Sequence, residues 1–151
     1  MTNPHDVIDA VVQTLSAVQE LVTLMGSSGT IVGHYHAYPA AASWVDALRQ
    51  LKPPAILVDY LGKGTGNLGR VPARVHYLRL LTRDGEGVSI YDLIDALDNG
   101  KIGNLRWPQS VHSDLLMVHD PLHMRRTIAI DETSSLDYWE STFELTETFS
   151  A

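Results

Sequence analysis

Two of this chain's seven histidines fall in the segment GTIVGHYHAYP (29–39), at positions 34 and 36. The segment is rich in β-branched and aromatic residues and predicts a strand. Side chains alternate along a strand, so His34 and His36 would share a face, which is half of a metal site. A zinc site needs a third ligand and usually a fourth. The next carboxylate after His36 is Asp46, and it sits in a predicted helix. His119 and His123, in HDPLH, are four apart, but Pro121 between them lets a helix begin only after His119. His5, His76 and His112 are scattered. The expectation is surface or boundary histidines, with no metal, no cofactor and no catalytic residue. A His-dependent metal-binding enzyme is the alternative.

Gly64, Gly66 and Gly69 match GxGxxG and follow the strand-like AILVDYL. A dinucleotide fold then needs a helix whose N-terminus meets the pyrophosphate. Here RVPARVHYLRLL follows, which reads as a strand, and no GK[ST] phosphate loop is present. The glycines therefore predict a mobile hairpin tip, GKGTGNLGR (62–70), of the kind that orders on binding a partner. GSSG (26–29) is a helix end and not a nucleophile elbow. Asp131, Glu132 and Asp137 lie beside Thr and Ser and read as a solvated turn, and Asp92, Asp95 and Asp98 as the outer side of a helix.

The elements around these residues follow from periodicity. NPHDVIDAVVQTLSAVQELVTLMG (3–26) predicts one helix, with Asn3 as cap, Pro4 in the first turn and Gly26 at the stop. AAASWVDALRQL predicts a short helix ended by KPP. AILVDYL (55–61) and VPARVHYLRLLTR (71–83) predict the two strands of a long β-hairpin. VSIYDLIDALDNG carries a Ser89 cap and an apolar stripe of Ile90, Leu93, Ile94 and Leu97. DLLMVHD (114–120) and TIAID predict strands with PLHMRR as a loop between them. DYWESTFELTETF alternates: Trp139, Phe143, Leu145 and Phe149 face one way and Glu140, Thr142, Glu144, Thr146 and Thr148 the other. The order implies an α+β fold: a mostly antiparallel sheet with a long β-hairpin and helices packed on one face.

The length, 151 residues, predicts one domain over 1–151 with a substantial core. The chain has no cysteine, which removes disulfides and thiolate chemistry. The start lacks the pattern of a signal peptide, and no apolar run is long enough to span a bilayer, so a soluble protein with no membrane contact is expected. The formal net charge of −7 argues against tight nucleic-acid binding. The charge is uneven. Residues 49–83 hold seven basic side chains (Arg49, Lys52, Lys63, Arg70, Arg74, Arg79, Arg83) and one acid, a net of +6. Residues 131–151 hold six acids and no Lys or Arg. Two solvated faces would explain this. So would complementary surfaces on neighbouring subunits.

The whole layout resembles the tail terminator and tail completion proteins of long-tailed bacteriophages. The resemblance rests on LVTLMGSSGTIVGHYHAYP after the first helix, the strand PPAILVDYL, the glycine-rich loop, ARVHYLRLLTR, SIYDLIDALDNG and the final DETSSLDYWESTFELTE, in that order. It implies a structural virion protein of the tail or neck, assembled in the host cytoplasm. Such proteins form rings, commonly hexamers, on the head-proximal end of the tail tube. They end tube polymerisation and face the head-tail connector or stopper protein, while DNA passes through the lumen without specific binding. Another phage neck protein, a connector or stopper, is the nearest alternative. On this reading Lys63, Arg70, Arg74 and Arg79 are contact residues, with Glu140 and Glu144 as their opposite partners on a neighbouring copy.

Overall fold

The computed structural model describes residues 3–27, 29–34, 43–85, 87–98, 115–117 and 122–148. The elements are α1 (Pro4–Ser16), α2 (Gln19–Met25), β1 (Thr30–Gly33), α3 (Trp44–Gln50), β2 (Ala55–Leu68), β3 (Val71–Arg83), α4 (Ile90–Asp98), β4 (Leu115–Met117), β5 (Leu122–Ala129) and β6 (Ser135–Thr148). The class is α+β. The sheet is antiparallel except for β1, which runs parallel to β2. Its order is β1-β2-β3-β6, and the far edge of β6 is shared by β5 and β4.

One face of the sheet carries most of the helical layer. Ile56, Val58, Leu78, Leu80, Phe143 and Leu145 pack against Val7, Ile8, Val11 and Leu15 of α1, Leu21 and Met25 of α2, and Leu93 and Leu97 of α4. The opposite face is covered only in part. There α3 lays Ala47, Leu48 and Leu51 on Ala55, Leu57, Leu81, Leu136 and Tyr138. Helices on one face thus describes three of the four, and α3 takes the other side. Because β-strand side chains alternate, each central strand feeds both clusters.

Three local expectations change. The first helix is two helices, α1 and α2, bent by 84° at Ala17–Val18. Ala17 and Val18 N–H donate to the carbonyls of Thr14 and Leu15, which tightens and ends α1, and Val18 is extended. The bend brings Leu21 and Met25 into the same core as α1. Second, PLHMRR is not a loop from Leu122 onward: Leu122–Ala129 is one strand, paired along β6 from Leu122↔Thr142 to Ala129↔Ser135.

Third, the glycine-rich segment is strand rather than a nine-residue mobile tip. β2 pairs with β3 up to Leu68↔Val71, leaving Gly69 and Arg70 as a two-residue turn. Gly69 has φ +63°, the conformation that a tight turn of this type needs at its first central residue. Gly64 and Gly66 serve their neighbours. The Tyr77 ring lies over Gly64, and a Cβ at Gly66 would sit 2.8 Å from Cγ2 of Val75. The glycines leave room for side chains of β3 to lie across β2.

Candidate interaction surface and the buried charge networks

The face carrying α3 is divided into three bands. The first is the apolar patch under α3. The second is a row of charges, one from each neighbouring strand in order. His34, just after β1, places Nδ1 3.3 Å from Oδ1 of Asp59 on β2. Arg79 of β3 donates from Nε to Asp59 Oδ2 at 2.7 Å and from Nη1 to Glu140 Oε2 of β6 at 3.0 Å. Arg126 of β5 approaches Glu140 Oε1 at 3.8 Å. From Asp59 to Arg126 the signs alternate, and opposite charges on neighbouring strands attract at this spacing. The Arg79 guanidinium also sits 4.7 Å from the centre of the Trp44 ring, which meets Tyr138 edge-on at 5.2 Å. The side chains of Asp59, Arg79 and Glu140 are only 11–16% exposed.

The third band is open. Leu61, Tyr77, Thr142 and Leu122, from four adjacent strands, line a shallow depression of about 220 Å³ with Glu144 at its rim. Met124 follows two residues along β5, opposite Glu140. Leu61, Leu122 and Met124 are exposed large hydrophobics, at 51%, 61% and 42%. Beyond the depression β2 and β3 end in the Gly69–Arg70 turn, with Val71 54% exposed beside it. Past Val58 the outer edge of β2 has no strand neighbour among the described residues, a span of ten residues or about 30 Å.

The helix-covered face holds a second network. His76 is fully buried. Its Nδ1 lies 2.7 Å from the Tyr60 hydroxyl and its Nε2 3.0 Å from Glu147 Oε2. Burial pushes the Tyr60 phenol above its ordinary value, with Glu147 adding to the shift and Arg74 opposing it. The phenol therefore keeps its proton, and both ring nitrogens of His76 lie within hydrogen-bond distance of an oxygen. The network ties β2, β3 and β6 together. Thr82, on the same face, buries its hydroxyl without a hydrogen-bond partner among the described residues.

The structure sorts the six expected contact residues into three groups. Arg79 and Glu140 bind each other within the chain, together with Asp59, and so tie three strands of the sheet together. Arg74 lies across the ladder from Glu147 and is electrically engaged with Tyr60. Lys63 and Arg70 are exposed, Glu144 is half-buried, and none of the three has an ion-pair partner among the described residues. Sequence reasoning missed Leu61, Tyr77, Leu122 and Met124. Their mixed neighbourhoods gave no apolar run, and only the ladder brings them together.

Of the histidine pair, His34 is fixed by Asp59, while His36 lies outside the described residues, as do His112, His119 and Phe149. His123 Nδ1 is 2.6 Å from Ser141 Oγ. Among the described residues no three His, Asp or Glu side chains are grouped as a metal site would need, and no single helix is long and apolar enough to cross a membrane. No protein-family model matches the sequence, and no curated protein matches it.

Proposed function

We propose that this chain is a structural virion protein of the tail terminator type, forming a ring that caps the head-proximal end of a phage tail tube. In that role it ends tube growth and offers a surface to the head-tail connector or stopper protein. The observation that carries the reading is the open third band: exposed hydrophobics together with charges and a strand edge that have no partner among the described residues, all on one half of the sheet. Isolated strand edges and grouped exposed hydrophobics are what partner chains cover. The tip and the depression are different surfaces, so a contact between them repeats head to tail and closes into a ring when the rotation permits. An overall acidic chain also suits a lumen through which DNA slides without sticking.

The nearest alternative is a different neck role, as connector or stopper, which the same surface would serve. The direct test is electron microscopy of tail tubes assembled with the purified chain. Rings at one end of tubes of limited length are expected. Tubes that grow on unchecked and bare would refute the terminator role, and rings bound only to head connectors would reassign the chain to the alternative.

A further inference from the structure

We propose that the depression between Leu61, Tyr77 and Leu122 is the seat for the β2–β3 tip of a second copy of this chain. Val71 fills the apolar hollow and Arg70 pairs with Glu144. This rests on the ring reading and names its contact.

Charge and shape both select this occupant. Glu144 is a carboxylate at the rim of an apolar hollow with no ion-pair partner among the described residues. A carboxylate held there favours a cation that arrives with apolar surface attached. The tip is built that way. Arg70 and Lys63 are exposed and unpaired among the described residues, and Val71 stands beside Arg70 with more than half its surface exposed. The tip is also shaped for insertion. A two-residue turn ends in a narrow ribbon, and glycines at 64 and 66 keep β2 thin where Tyr77 and Val75 fold across it. Tip and seat lie on one sheet but at separate places along it, so one copy cannot fill its own seat while its ladder is intact.

The contact is small. Four tip residues cover only part of the roughly 800 Å² per partner that stable interfaces bury. Closure of the ring, in which every copy gives one tip and receives another, supplies the rest of the avidity.

The absence of cysteine from the chain makes a clean test possible. Val71→Cys and Leu122→Cys are made as separate full-length variants, mixed with tail tubes and oxidised. A disulfide requires Cα atoms within about 7 Å, so only a tip in its seat will bridge them. The expected result is a covalent dimer in the mixture and none with either variant alone. Val71→Cys dimers formed by that variant alone would mean that tips meet tips, and would overturn the proposal. Rings that form without any crosslink would also overturn it, while sparing the ring reading. Tubes left bare by the unmodified chain would remove both. A second arm uses charge. Arg70→Glu and Glu144→Arg should each lose rings, and an equimolar mixture should regain them with the two variants alternating, which permits only even-numbered rings. Failure of the mixture to regain rings that each variant had lost would count against the Arg70–Glu144 pair.

Discussion

The inner and outer halves of the sheet are made from the same strands and treat charge in opposite ways. In the inner half, helices lie on both faces and the charged row from Asp59 to Arg126 is paired strand by strand. In the outer half, one face is open, Lys63, Arg70 and Glu144 have no ion-pair partner among the described residues, and hydrophobics stand in solvent. The difference shows why a charge tally along the sequence is a poor guide to contact surfaces. The basic segment 49–83 is one block in sequence and two in space. Arg79 is tied to Asp59 and Glu140 within the sheet, while Lys63 and Arg70, nearer the tip, are exposed with no ion-pair partner among the described residues.

Removing Arg79 tests the inner half most severely. Arg79→Ala takes from Asp59 and Glu140 the cation they share where there is little solvent, and breaking a buried pair in this way costs about 3 kcal/mol or more. A large fall in the urea midpoint is expected; an unchanged midpoint would mean that the charged row contributes little. Gly66→Val is the next largest effect. Its side chain collides with Val75, and overpacking of this kind costs about 1–3 kcal/mol. If the segment were a mobile loop, the same substitution would be silent, so the midpoint separates strand from loop.

Acid acts at the β5–β6 turn. The exposed Asp131 carboxylate accepts hydrogen bonds from Thr133 N–H, Ser134 N–H and the Thr133 hydroxyl, and they hold its pKa down to about 2 from an ordinary 3.8. The stabilisation is therefore complete above pH 3.8 and disappears as pH falls through about 2. Carboxyl carbon NMR should show this residue titrating at about 2, and titration near 3.8 would show the turn to be open. Arg70→Glu is expected to change stability least, by under about 0.5 kcal/mol in the urea midpoint, as for an exposed residue with no partner. Its effect should fall on assembly instead.

Much of the fold was legible in local sequence. Ser89 caps α4 through the Tyr91 N–H, as its spacing to Asp92 suggested, and the alternation of Trp139, Phe143 and Leu145 placed one face of β6 toward the helices. The glycine-rich stretch misled because glycine reads as loop when taken alone. Its place in a strand depends on Tyr77 and Val75, which come from the next strand. The helix break was hidden because apolar positions continue through Ala17 and Val18 with no glycine or proline to mark the bend. The Arg79–Glu140 pair spans 61 positions, and no local pattern reports a contact of that range. The seat was invisible for the same reason, being lined by residues of four strands, with Leu61 and Glu144 far apart in the chain.

The most direct test of the division between halves is a count of capped tail tubes, made with the wild-type chain and with Arg70→Glu alongside their urea midpoints. Wild-type protein should leave a ring on one end of most tubes, while Arg70→Glu unfolds at the same urea concentration and leaves the tubes bare. Bare tubes with the wild-type chain, which then sediments as a single 16.7 kDa species with or without them, would contradict the account.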